Sequence, residues 1–506
     1  MVYETQKKSG RKEQIVIFIY LKSSFSNNQK IKNMYIEQLY TGCLAEAAYY
    51  IESKGVAAVI DPLRETEPYI NMATERNAKI KYIFETHFHA DFVSGHIDLS
   101  RKTGATIVYG PNANPDYEVY VGKDEEIFEI GDVKIKLLHT PGHTMESSTF
   151  LLIDEQGKEH AIFTGDTLFL GDVGRPDLAI KSDLTQEDLA GHLYDSLQSK
   201  ILPLPDSVIV YPGHGAGSSC GKNLSTDTVD TLGNQKQNNY AIREGLTKEQ
   251  FIAEVTDGIL PPPQYFPKNA MMNKMGYESY DDVLAKGSTG LTPDEVEQKM
   301  KEGVLVIDTR PHVQFEYGYI PGSMSIGLDG NFAMWVGALI YDINQPIIVV
   351  TEPGREQEAV MRLARVGYDN SIGYLAGSFD SWKKAGKPVD TIHVIHPKDL
   401  NELYHQDEGI KIVDVRTAGE YNSQYVVGAD HYPLGYIMEN LNQLDKDKKY
   451  YFHCAAGYRS MMAITILKNN GYNGDNLINI DGGFDEIIKT DLPTTEYVCP
   501  TTTMET

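Results

Sequence analysis

The chain has 506 residues, which accommodates roughly three domains at about 150 residues each. Its net charge of −25 excludes the basic surfaces by which proteins displace counterions from nucleic acid or meet anionic lipid. Its four cysteines are too widely spaced for a disulfide framework, so a reducing cytoplasm is the expected setting.

Residues 1–33 differ from the rest. Lys7-Lys8 and Arg11-Lys12 precede an apolar run from Ile15 to Leu21 that lacks a small-residue cleavage site and falls short of the ~20 residues a bilayer requires. The segment reads as a disordered extension or as a start site assigned too early. A first strand begins at Met34, and residues 34–260 form the first domain.

Within that domain the hydrophobic stretch Ile80 to Phe84 reads as a buried strand and opens onto Thr86-His87-Phe88-His89-Ala90-Asp91-Phe92. Three later strand ends repeat the arrangement. Val133 to Leu137 leads to His139-Thr140-Pro141-Gly142-His143, Ala161 to Phe163 to Thr164-Gly165-Asp166, and Val208 to Val210 to Tyr211-Pro212-Gly213-His214. Four junctions that each deliver imidazoles or carboxylates predict one metal centre. A two-metal hydrolase would carry histidine at position 92; Phe92 has no lone pair to offer, so a stable second metal is not expected.

Two further residues of this domain are candidates. Arg175, in Gly171-Asp172-Val173-Gly174-Arg175-Pro176, could recruit an anionic substrate or be an exposed structural arginine. Cys220, soon after His214, is close enough to face a substrate channel, as a sulfur-relay thiol, a substrate contact or an inert side chain. Cys43 and Cys499 receive no role.

Leu260-Pro261-Pro262-Pro263 marks a rigid, extended connector over 261–290. Beyond it the chain repeats itself. Val306-Ile307-Asp308-Thr309-Arg310 with Phe315-Glu316 echoes Ile412-Val413-Asp414-Val415-Arg416 with Glu420-Tyr421, and Leu375 to Phe379 echoes Asp481 to Phe484. Domains of 291–388 and 389–499 follow, divided at Gly386-Lys387-Pro388. In the second, a strand over Lys448 to Phe452 and a helix from Met461 to Asn469 flank Cys454-Ala455-Ala456-Gly457-Tyr458-Arg459. A cysteine opening a tight loop at a helix start meets backbone N–H groups and a nearby arginine, which favour thiolate over thiol. The first copy has Thr351 at that place, in Thr351-Glu352-Pro353-Gly354-Arg355-Glu356, and a hydroxyl holds no persulfide.

The first domain resembles the metallo-β-lactamase superfamily, through His87-Phe88-His89-Ala90-Asp91 and the later His143, Asp166 and His214 in order. The resemblance implies an αββα sandwich. In binuclear members the residues matching His87, His89 and His143 hold one metal, those matching Asp91 and His214 help to hold the other, and the one matching Asp166 bridges them. The residues that remain here suit a single ion held by His87, His143 and Asp166, a two-imidazole, one-carboxylate set that suits Fe(II) oxygen chemistry, whereas zinc has none. The superfamily's persulfide dioxygenases look like this site and use the matching ligands for one Fe(II) per chain. His89, Asp91 and His214 are then supporting residues around it.

The two later domains resemble rhodanese α/β domains, whose C-x-x-G-x-R loop carries sulfane sulfur; Cys454, Gly457 and Arg459 match it and the first copy is predicted to be inactive. Persulfide dioxygenase–rhodanese fusions imply oxidation of a low-molecular-weight persulfide by O2 to sulfite and transfer of sulfane sulfur to sulfite, in a cytoplasmic homo-oligomer with no nucleic-acid or membrane partner. Two competing readings remain. One is a two-metal thioesterase of the hydroxyacylglutathione hydrolase type, which Phe92 opposes; the other is a sulfur-carrier or sensor protein using Cys454 alone.

Overall fold

In the computed structural model, which describes residues 34–178, 184–222, 224–259, 261–406 and 409–499, the described residues form four sheets. The expectation for residues 1–33 lies outside the described residues. Strands β1 (Met34–Thr41), β2 (Glu46–Ser53), β3 (Val56–Ile60), β4 (Lys79–Phe84), β5 (Thr106–Tyr109) and β6 (Tyr120–Val121) lie side by side in chain order. A second sheet takes β7 (Ile127–Ile130), β8 (Val133–His139), β9 (Ser148–Ile153), β10 (Glu159–Gly165), β11 (Ile209–Pro212) and β12 (Asp230–Thr231), also in order.

The two sheets stack because their central strands, β2, β3, β9 and β10, are buried on both faces. Along β2, Ala47, Tyr49 and Ile51 point inward and share one core with Ile135, Phe150 and Phe163 of the second sheet. The alternate residues Ala48 and Tyr50 meet Tyr69 and Ala73 of the helix Glu67–Glu75 and Leu99 of the helix His96–Thr103. On the far side, Leu151, Ile162 and Val210 pack on Leu193 and Phe251 of the helices Gln186–Ser196 and Lys248–Thr256. The result is the expected αββα sandwich.

Strand direction gathers the functional loops. β8 and β10 each run antiparallel to β9, and β11 runs parallel to β10, so β8, β10 and β11 end at one edge. The end of β4 reaches the same edge, where the Ser148 amide donates to the Thr86 carbonyl at 2.9 Å.

The two later sheets are parallel and share one topology. β13 (Gly290–Leu291), β14 (Leu305–Asp308), β15 (Met324–Ser325), β16 (Ile347–Val350) and β17 (Ser371–Leu375) take the order β13-β17-β16-β14-β15. β18 (His393–Ile395), β19 (Ile412–Asp414), β20 (Asp430–His431), β21 (Tyr450–His453) and β22 (Leu477–Ile480) take the order β18-β22-β21-β19-β20. The internal repeat read from the sequence is thus a repeated fold, with central strands buried on both faces. No helix of the described residues is long and apolar enough to cross a membrane.

The stretch 261–290 differs from the extended connector that its prolines predict. Beyond the prolines it folds into the helices Phe266–Met275 and Tyr280–Gly287, with Tyr265 and Phe266 buried. The reason is that each helix has a surface to bury. Gln264 donates to the Ile340 carbonyl of the first repeat at 3.0 Å, while Asn273 reaches into the metal domain. Asn273, itself buried, donates to the His89 and Phe92 carbonyls at 2.8 Å each and accepts from the Ser94 amide at 2.9 Å.

The first repeat completes this clamp. The Val93 amide donates to the Arg365 carbonyl at 2.7 Å. Arg64, fully buried, pairs with Asp369 at 2.7 and 2.9 Å, and Arg365 pairs with Glu65. Truncating Asn273→Ala removes three hydrogen bonds from the metal loop, each worth about 1 kcal/mol or more when a buried group is left unpaired. Hydrogen-exchange mass spectrometry is expected to show residues 89–94 exchanging at least about tenfold faster, with the 454–459 loop unchanged; unaltered exchange at 89–94 would mean that the loop holds itself.

Candidate metal centre and cysteine loop

Three ligand atoms converge at the shared edge. Asp166 Oδ2 lies 3.9 Å from His87 Nε2 and 3.4 Å from His143 Nε2, and all three residues are buried. Their hydrogen bonds prepare them for a metal. Thr86 Oγ1 gives its proton to Asp61 at 2.8 Å, so it accepts from His87 Nδ1 at 3.0 Å and leaves the Nε2 lone pair pointing into the site. The Arg175 carbonyl takes the Nδ1 proton of His143 at 2.9 Å to the same effect. Both Asp166 carboxylate oxygens are buried without a hydrogen-bond partner, as ligand atoms would be. Burial and the neighbouring imidazoles hold His87 well below the ordinary histidine range, in its neutral, ligating form. Gly213 is needed here, because a Cβ would stand 2.7 Å from Asp166 Oδ1.

His89 belongs to a different cluster. Its Nε2 sits 3.1 Å from Asp61 Oδ1 and 3.6 Å from Glu85 Oε2, and its ring lies against Phe92 with centroids 4.4 Å apart. Asp61 and Glu85 had no signal in the sequence beyond being polar residues at strand ends. The remaining pair stays close: His214 Nε2 is 3.4 Å from Asp91 Oδ2 and 3.5 Å from Asp166 Oδ1. Burial pulls His214 down, yet the Asp91 and Asp166 carboxylates bring it above its ordinary value.

Cys220 lies beside Asp91 and His214, in the place that Phe92 leaves without a ligand, and not on an open channel. Burial, with Asp91 and Asp166, pushes its thiol well up, whereas sulfur relay requires a thiolate. Arg175 also differs from its expectation as an anion recruiter. The side chain is buried, bonded to Asp177 at 2.6 and 2.7 Å and to the Ser219 carbonyl at 3.1 Å. A carboxylate two residues on neutralises it, and its contribution to the site is the carbonyl that orients His143.

The cysteine loop follows β21. Gly457, at φ 90°, turns the chain directly into a helix that starts at Tyr458, earlier than its apolar run indicates, so Tyr458 and Arg459 lie in the first turn. The Cys454 carbonyl accepts from the Phe484 amide at 2.7 Å and the Ala455 carbonyl from the Asp485 amide at 3.0 Å. Gly483 allows this approach, since a Cβ there would strike the Cys454 carbonyl at 2.5 Å. With its carbonyls drawn outward the loop leaves the Gly457 amide facing the sulfur, and it donates to Cys454 Sγ at 3.1 Å. Arg459 pairs with Glu420 through two contacts of 2.6 Å, which hold the Glu420 carboxyl at about 2 against the upward push of burial.

The first copy satisfies its loop internally. The Gly354 amide, counterpart of Gly457, donates to the Glu356 carboxylate at 3.0 and 3.1 Å. Glu356 stands where the second copy has Arg459, so the anion position is filled by the chain itself.

Residues 41–214 match the metallo-beta-lactamase superfamily, and residues 292–385 and 396–490 each match the rhodanese-like domain. A probable hydroxyacylglutathione hydrolase of Schizosaccharomyces pombe is 35% identical over 175 residues, 34% of this chain and 63% of that relative. A hydroxyacylglutathione hydrolase of Pelagibacter ubique is 33% identical over 178 residues, 34% of this chain and 68% of that relative. The chain thus spans just under two thirds of the first of these. A solved structure of a metallo-beta-lactamase from Staphylococcus aureus is 32% identical, with a TM-score of 0.61, covering 68% of this chain and 99% of that one. The chain belongs to the metallo-β-lactamase superfamily and carries two rhodanese-like domains after that domain.

Two outcomes follow from these geometries. Replacing His87, His143 or Asp166 by Ala is expected to cost more than about tenfold in metal retention, and His214→Ala much less, as elemental analysis after dialysis will read; equal loss in all four variants would show a different ligand set. In a Cys454→Ser background, Thr351→Cys is expected to restore no thiosulfate:cyanide sulfurtransferase activity, because Glu356 occupies the Gly354 amide. Restored activity would show the first loop to be competent.

Proposed function

We propose that the chain is a persulfide dioxygenase joined to a sulfurtransferase, oxidising a low-molecular-weight persulfide to sulfite and converting sulfite to thiosulfate. The observation that carries this reading is the convergence of His87, His143 and Asp166, with His89 Nε2 set 3.1 Å from Asp61 in a separate group; Asp91, His214 and Cys220 form a further three-ligand group, which favours the two-metal alternative. Held by those three residues, a ferrous ion would supply the activation of O2. The overall change is R–S–SH + O2 + H2O → R–SH + SO3²⁻ + 2H⁺, in which sulfur is oxidised and O2 reduced. Thr86 and the Arg175 carbonyl keep the two imidazoles oriented, and the buried walls around Phe92 exclude bulk water.

The second half uses what the first produces. Cys454 takes sulfane sulfur from a persulfide, R–S–SH + E–S⁻ → R–S⁻ + E–S–SH, with the Gly457 amide donating to its Sγ. The sulfite lone pair then attacks the outer sulfur and the S–S bond breaks toward Cys454, E–S–SH + SO3²⁻ → E–S⁻ + S2O3²⁻ + H⁺, the proton passing to solvent. Four free cysteines suit a reducing, cytoplasmic setting.

The hydrolases among the relatives favour a second reading, a two-metal thioesterase. One experiment separates the two. Protein prepared anaerobically with Fe(II) is expected to consume O2 with persulfides and yield thiosulfate, and Cys454→Ser to keep the O2 uptake while yielding free sulfite. Thioester hydrolysis with two zincs and no O2 uptake would favour the hydrolase. Thiosulfate from Cys454→Ser at the wild-type rate would remove the division of labour.

A further inference from the structure

We infer that His312, contributed by the catalytically silent copy, positions the oxyanion acceptor at the Cys454 loop. The inference rests on the reading of Cys454 as a persulfide carrier. His312 opens the helix His312–Phe315 just beyond β14, and its counterpart in the second copy is Ala418, so the imidazole is particular to the first copy.

The packing of the copies carries this side chain to the other copy's loop. Its Nε2 lies 3.3 Å from where a Cβ on Gly457 would stand, and Gly457 is the residue whose amide donates to Cys454 Sγ. The ring also meets Tyr458 edge-on with centroids 6.3 Å apart. Tyr458 is fixed to the first copy in turn, its hydroxyl donating to the Gly327 carbonyl at 2.8 Å. The placement of His312 over the loop is therefore set by the interface and is not left to a mobile side chain.

An oxyanion acceptor needs donors for its oxygens while its sulfur lone pair faces the outer sulfur of the persulfide. Arg459 pairs with Glu420 through two of its N–H groups and also reaches Cys454, while the Gly457 amide donates to Sγ. The imidazole of His312 is half-buried, and its nitrogens make no hydrogen bond among the described residues, although the Asp481 carboxylate faces it. An N–H donor with its bond unspent, standing over the Gly457 whose amide meets the sulfur, suits an anion with oxygens and gives less to one without them.

The test compares sulfite with cyanide as acceptor, using the full chain under anaerobic conditions with glutathione persulfide as donor. His312→Leu is expected to raise KM for sulfite about tenfold, with kcat and the cyanide KM within about twofold of wild type, and His312→Gln to recover much of the loss. Equal impairment with both acceptors would make His312 a packing residue and overturn the inference, as would an unchanged sulfite KM. Failure of the wild-type chain to transfer sulfur to either acceptor would instead overturn the reading of Cys454, and the inference with it.

Discussion

The loop from His89 to Ser94 depends on hydrogen bonds that its own domain does not supply. Asn273, from the helix that follows the prolines, binds three backbone groups of that loop, and the Arg365 carbonyl of the first rhodanese-like domain binds a fourth. Buried backbone groups cannot be left unpaired cheaply. The metal centre is therefore finished by residues from well beyond its own domain, Asn273 and Arg365, and the two buried ion pairs, Arg64 with Asp369 and Arg365 with Glu65, keep those residues in register. Breaking either pair would leave an uncompensated charge in the interface, which costs more than the pair itself contributes.

This dependence gives the first copy a structural role of its own. It carries Thr351 at the position of Cys454 and meets its loop amide with Glu356, yet its helix Glu356–Arg365 ends on the metal loop while its start of helix at His312 ends on the Cys454 loop. One domain thus touches both candidate sites from opposite sides. The difference between the copies is local and electrostatic: the same glycine amide that meets a sulfur in one meets a carboxylate in the other. Neither change disturbs the parallel sheet beneath, because strand order and burial are set by apolar residues that both copies keep.

What could be read from the sequence was what lies close along the chain. A strand running into a histidine-bearing loop is a short-range pattern, so the four junctions and the repeat were legible, and with them the gathering of His87, His143 and Asp166 at one edge and the place of Cys454 in a strand-to-helix loop. Interactions across long separations left no such trace. Asn273 looks like any polar helix residue, Arg64 and Arg365 like surface cations, and Pro261 to Pro263 like the start of a spacer whose first following helix, Phe266–Met275, has little helical periodicity to announce what it buries. Arg175 was misread for the opposite reason. Its partner Asp177 is only two residues away, but a pair that close signals a salt bridge only once the backbone turn between them is known.

The arginines also bear on how so acidic a chain could take the anions of the proposed reaction. Arg175 is answered by Asp177, Arg365 by Glu65, Arg416 by Asp414 and Arg459 by Glu420, so the cations nearest the two sites are paired with carboxylates. An exposed cationic funnel would attract any anion and would be weakened by salt. On the proposed function, recognition would fall to short-range dipoles that act only on contact: the Gly457 amide at Cys454, the His312 imidazole from the neighbouring copy, and at the other site the charge a metal would bring to His87, His143 and Asp166. Such groups lose their hold within a few ångströms, which makes selection depend on the shape and oxygen count of the anion and leaves the net charge of the protein free to be strongly negative.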